Sequence, residues 1–174
     1  MQDTLPIHFA PLQGYTEAIY RNAHDAFFGG VDTYYTPFVR LEKGNFRRRD
    51  VRGIEPENNG VTHLIPQLIA SSAEKAEVIL SLFIEKGYQE VDINLGCPFP
   101  LLAKRHNGSG ILPYPEEVKA LLSIVTRYPQ ISFSVKMRLG WEQPDECLAL
   151  APILNDLPLR QITMHPRLGK QGYK

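Results

Sequence analysis

The chain predicts an α/β fold of the TIM (β/α)8 type, present as an incomplete barrel of about six βα units. Three observations point there. Short apolar runs alternate with helical patterns along the 174 residues, which implies parallel strands joined by right-handed crossovers. Polar residues recur near the carboxyl ends of those runs: Gln67, Asn94 followed by Cys97, Lys136 with Arg138, and His165 with Arg167. Gln67, Asn94, Lys136 and His165 stand 27, 42 and 29 residues apart, close to the roughly thirty residues that each βα unit takes in a barrel of about 250. A doubly wound sheet would instead concentrate its signal in one early glycine-rich turn, and none stands between Pro11 and Thr16.

The strands are expected at Ile7 to Pro11, Thr33 to Phe38, Leu64 to Ile69, Val91 to Asn94, Ile131 to Met137 and Gln161 to His165. Each is a short apolar run bounded by turn residues. Between the first two, Thr16 can cap a helix whose apolar positions are Ile19, Ala23 and Phe27 and which stops at Gly29-Gly30. Ser71 with Glu74 forms a capping box for a second helix that buries Ala76, Ile79, Leu80, Phe83 and Ile84 and ends at Gly87. A third starts at Pro115-Glu116, aligns Val118, Leu121, Leu122 and Val125 on one face, and ends at Tyr128-Pro129. Pro152 should kink or end the apolar helical run that contains Cys147. Arg40 to Gly60 reads as a solvated polar loop: Arg47, Arg48, Arg49 and Arg52 are diluted by Asp50, Glu55 and Glu57.

Hydrophobic content of 43% and charged content of 22% suit one globular domain spanning residues 1–174. The formal net charge is zero, so no global field draws the chain to nucleic acid, and RNA contact needs a local basic patch. Cys97 and Cys147 lack metal-ligand spacing and stand in unlike contexts. A soluble protein of the reducing cytoplasm is expected, with no leader and no membrane span.

The most informative stretch is Val91-Asp92-Ile93-Asn94-Leu95-Gly96-Cys97-Pro98, a buried strand that delivers an amide and a thiol to one loop. A Gly-Ser-Gly loop follows at 108–110. Asn94 can meet a ligand or cap backbone groups at the strand end. Lys136 rises from an apolar strand, where an ammonium needs an anion or acceptor; Asp92 and Glu90 are the protein's own candidates. Arg138 and Arg167 can bind phosphate or lie in solvent.

Five motifs in order, Ala10-Pro11-Leu12-Gln13-Gly14, Pro66-Gln67-Leu68, Asp92 to Pro98, Val135-Lys136-Met137-Arg138 and His165-Pro166-Arg167, resemble those of tRNA-dihydrouridine synthases across almost the whole chain. The resemblance implies an FMN-binding β/α-barrel catalytic domain that uses NADPH to reduce the carbon 5–carbon 6 double bond of particular uridines, with tRNA as partner. It places FMN against Gln67, Lys136, His165 and the Pro11-Leu12-Gln13 backbone, and substrate near Asn94, Arg138, Arg167 and Tyr173. Cys97 is then the acid: hydride addition at carbon 6 requires a proton at carbon 5, and a thiol of ordinary pKa near 8.5 is protonated at neutral pH yet can release its proton.

Leu12 stands where such proteins commonly carry methionine, and Pro166 where glycine is frequent, which removes a backbone donor. The last barrel strands, whose loops hold cofactor phosphate in barrels of this type, and the family's C-terminal helical tRNA-binding domain are expected to be absent. Two other readings stay open. One is a non-catalytic partial barrel, or weak RNA-binding relative, that self-associates through open sheet edges; the other is an FMN-dependent dehydrogenase of a free pyrimidine.

Overall fold

The computed structural model describes residues 5–171. In chain order they form β1 (His8–Phe9), α1 (Ala18–Phe27), β2 (Thr33–Tyr35), β3 (Leu41–Glu42), β4 (Asn45–Phe46), α2 (Arg48–Ile54), β5 (Leu64–Ile65), β6 (Gln67–Leu68), α3 (Ala73–Glu85), β7 (Glu90–Leu95), α4 (Pro100–Ala103), α5 (Pro115–Arg127), β8 (Ser132–Gly140), α6 (Glu146–Asn155) and β9 (Leu159–Leu168). The expected third strand is split in two at Pro66, whose ring nitrogen cannot donate to a ladder. The chain groups into two compact units that divide between Gln67 and Leu68.

In the first unit β1, β2 and β5 form a parallel sheet in that order. Phe9 packs on His24 and Tyr34, with ring centroids 4.5 and 5.2 Å away. Arg21 is fully buried and donates to Thr16 O, Gly53 O and Asn59 Oδ1. The guanidinium thereby joins the turn before α1 to the segment after α2.

Two sequence expectations fail in this unit, the Thr16 cap and the solvated Arg40 to Gly60 loop, and the apolar positions of α1 lie in solvent. Ile19 and Phe27 of α1 are each 84% exposed, and Ala18 and Arg21 are its buried residues; an apolar face is buried only where another element covers it. Thr16 does not cap α1, because its hydroxyl bonds Leu12 and Glu17 takes the cap position. The stretch from Arg40 to Gly60 is also ordered rather than a loop. It folds into the β3–β4 hairpin, turning on Lys43 and Gly44 at positive φ, and then α2.

In the second unit the sheet runs β6-β7-β8-β9, with Asn94 opposite Lys136, Lys136 opposite Thr163, and Arg138 opposite His165. Side chains alternate along strands, so Asp92 and Asn94, Ser134, Lys136 and Arg138, and Gln161, Thr163 and His165 share one polar face. The Ser134 hydroxyl donates to Asp92 Oδ1 at 2.6 Å, and the Gln161 amide to Thr163 Oγ1 at 2.8 Å, both along that face. The alternate positions Val91, Ile93, Leu95, Phe133, Val135 and Met137 are apolar and buried.

Helix α3 packs on α5, α5 on α6, and α6 on β8. Ala76, Ile79, Leu80 and Phe83 of α3 are buried as expected, but Ile84 is 39% exposed. The α3 cap is Ser72 rather than Ser71, accepting from the Lys75 N–H; Glu74 is held below its ordinary pKa by the Ser72 hydroxyl and its own backbone N–H. Helix α5 matches expectation from Pro115 to Arg127. Helix α6 continues through Pro152 to Asn155, because buried Leu150 and Leu154 anchor it on both sides of the missing donor.

β1–β2, β2–β5, β7–β8 and β8–β9 pair in parallel, β3–β4 is antiparallel, and no closed barrel forms among the described residues. Among them, no helix is long and apolar enough to cross a membrane.

Candidate active site

Strand β7 ends at Leu95 and releases the chain into Gly96-Cys97-Pro98. Both peptide groups flanking Cys97 are then held. Asn94 Oδ1 accepts from Gly96 N at 3.0 Å and Cys97 N at 2.8 Å, a side-chain turn of the kind asparagine forms at strand ends. Arg138 Nε donates to Gly96 O at 3.0 Å. On the other side, Ser109 N and Ser109 Oγ both donate to Cys97 O at 3.0 Å. Cys97 is not disulfide-bonded and is partly open to solvent.

This approach depends on Gly108. Its φ is +60°, and a Cβ there would lie 2.6 Å from Cys97 O and 2.8 Å from Cys97 Cβ. Only glycine allows the 108–110 turn to touch the cysteine. Ser109 is therefore part of the site, which the sequence showed only as a loop serine twelve residues beyond the thiol.

Arg138, foreseen as a phosphate or substrate ligand, is 2% exposed. Besides Gly96 O, it donates to Leu168 O at 2.7 Å and Gln171 O at 3.4 Å. Its guanidinium ties the cysteine loop to the turn after β9. Asn94 likewise spends its carbonyl oxygen on backbone, the capping role left open at the sequence level. Two further predicted residues extend the polar face. Lys136 is half-buried and makes no hydrogen bond or ion pair among the described residues. Burial lowers its pKa, Asp92 opposes that shift, and Arg138 adds to it. Glu90 is not its partner, being paired with Arg160 at 3.2 Å. His165 is shifted down by loss of solvent and then by Arg138, Lys136 and Arg167. One face thus gathers a thiol loop, a half-buried lysine drawn by Asp92 without a direct ion pair among the described residues, and a histidine biased to its neutral form.

The residues foreseen in the first unit are ordered by backbone bonds. Tyr15 N and Thr16 N donate to Leu12 O at 3.0 Å, and Thr16 Oγ1 accepts from Leu12 N at 2.8 Å, fixing the turn after Pro11. Gln13 Oε1 is buried without a hydrogen-bond partner among the described residues. Gln67 is buried; its N–H donates to Thr36 Oγ1 at 3.0 Å and its carbonyl accepts from Val39 N at 2.8 Å. Tyr173 lies outside the described residues. Arg47 and Arg49 are drawn toward carboxylates, Arg47 to Asp50 and Glu42 and Arg49 to Glu17.

The dihydrouridine synthase (Dus) family model matches residues 8–174, and the chain belongs to that family. It is 29% identical over 171 residues to a probable tRNA-dihydrouridine synthase 1 of Synechocystis, covering 94% of this chain and 46% of that protein. It is also 30% identical to a tRNA-dihydrouridine(16) synthase of Pseudomonas syringae, covering 98% and 56%, and 28% identical to one of Haemophilus ducreyi, covering 97% and 54%. The chain spans about half the length of these curated relatives.

Proposed function

We propose that this chain carries the reacting part of a tRNA-dihydrouridine synthase, in which Cys97 protonates carbon 5 of a uridine in tRNA. The observation that carries the reading is the immobilised Cys97 loop on the same sheet end as Lys136 and His165. FMN fits the polar groups left over. Lys136, which makes no direct ion pair among the described residues, would face the electron-rich part of the ring, and His165 would be a second contact. Gln67 and the Pro11-Leu12-Gln13 backbone would hold the ring edge in this reading.

When bound, FMN reduced by NADPH supplies the hydride that uracil accepts at carbon 6. The residues of the chain do the rest. The Cys97 S–H bond breaks as a C–H bond forms at carbon 5, and the resulting thiolate regains a proton from solvent. Asn94, Arg138 and Ser109 hold the backbone so that the thiol meets one face of the base. The same reading places the protein in the cytoplasm.

The exposed α1 face and the exposed Ile162 and Met164 of β9 favour a second reading, in which isolated chains associate through uncovered apolar surface. A concentration-dependent change in size on gel filtration would support it.

The main proposal is tested by incubating the protein with FMN, NADPH and unmodified tRNA and measuring dihydrouridine by mass spectrometry. Cys97→Ala should lower turnover by about 10²–10⁴-fold, the usual weight of a general acid, while FMN binding stays unchanged. Undiminished turnover in that variant would sink the assignment.

A further inference from the structure

Beside the cysteine loop lies a cleft of about 480 Å³ whose walls include Lys104, His106, Tyr114, Trp141, Glu142 and Glu146. The walls come from two strand-to-helix connections, the one after β7 that contains Cys97 and the one after β8. The cleft and the thiol share a boundary. A Cβ on Gly169 would fall 2.1 Å from the Trp141 ring and 2.8 Å from Ser109 Oγ, the same hydroxyl that bonds Cys97 O.

The lining combines aromatic faces with one exposed cation. His106 and Tyr114 are stacked, with centroids 4.1 Å apart and planes 11° off parallel, and Tyr114 remains 43% exposed. His106 is fixed by Glu117 at 2.7 Å. The carboxylates are occupied: Glu146 accepts from the N–H groups of Trp141, Glu142 and Gln143, and Glu142 pairs with Lys170. Lys104 is exposed and has no carboxylate partner among the described residues. Aromatic faces with an available cation are how single-stranded RNA is held, bases splayed and stacked with phosphates neutralised.

We infer that this cleft is a second nucleotide subsite, holding the base and phosphate of an RNA residue next to the reacting uridine. The inference rests on the RNA-modifying reading above. Trp141 is the single tryptophan of the chain, so its emission reports the cleft directly, without FMN or turnover.

Titration with the trinucleotide UpUpU should change Trp141 emission saturably. Tyr114→Leu should weaken the titration roughly tenfold, within the usual range for one stacked base. Lys104→Ala, at an exposed position, should reduce the slope of log affinity against log salt by about 0.7, the value for one phosphate contact on a single strand. The inference is overturned if UpUpU leaves the emission unchanged, if both variants titrate like the wild type, or if FMN alone produces the response. Failure here alongside intact Cys97-dependent turnover removes the subsite only. Cys97-independent turnover removes the mechanism, and the Trp141 titration is then judged by itself.

Discussion

The two units of the molecule apply one construction rule with unequal completeness. In the second, strands of six, nine and ten residues carry helices α3 and α5, which bury most of their apolar positions. In the first, the parallel strands are two or three residues long and α1 leaves its apolar positions in solvent. The difference shows that periodicity specifies which face of a helix could be buried, and the neighbouring element determines whether it is.

The contrast is broken most directly at two phenylalanines. Phe133→Ala, in the core of the second unit, should lower unfolding free energy by about 3–5 kcal/mol, whereas Phe27→Ala, at 84% exposure, should stay within about 0.5 kcal/mol. Urea unfolding followed by circular dichroism measures both, and equal losses would mean that the α1 face is covered after all.

The next largest effect concerns the two buried arginines, one in each unit. Arg21 and Arg138 both bind backbone carbonyls through buried guanidinium groups. Replacing either with Met should cost about 2–4 kcal/mol, since several acceptors lose charged donors together. Only Arg138→Met should also speed hydrogen exchange at the Cys97 N–H, because only Arg138 reaches that loop. Unchanged protection there would remove its positioning role.

The smallest expected effect is a pH dependence confined to the second unit. Burial and neighbouring cations depress the pKa of folded His165, so the unfolded chain binds the proton more readily. Stability is therefore retained above the ordinary value of 6.5 and falls as pH drops through it toward the lower folded value. His165→Gln should flatten that fall, read as denaturation midpoints between about pH 8 and pH 5. An identical slope in the variant would locate the dependence elsewhere.

The sequence was most legible where local signals agreed with tertiary ones. The expected Val91–Asn94 strand lies within β7, and α5 begins at its proline and ends before Tyr128-Pro129. The stretch from Arg40 to Gly60 misled because its charges read as solvation, although Asp50 is buried near Arg40, Arg47 and Arg49; burial raises its pKa against their pull. At the site, Asn94, still within β7, accepts from the Cys97 N–H, and the sequence brought both residues to one strand end. It could not show that Arg138 is buried, because an arginine that binds carbonyls and one in solvent look alike in a string. Nor could it show that Ser109 reaches Cys97, since that depends on the bare backbone of Gly108.

The clamped Cys97 peptide groups carry a kinetic consequence. With the carbonyl before it, its own N–H and its own carbonyl all engaged, the backbone around Cys97 is held in one orientation. If Cys97 serves as the proposed acid, its orientational entropy is surrendered once, during folding, rather than at every encounter with a base. A loosened loop would therefore act first on the frequency of productive collisions, before it altered the acidity of the sulfur.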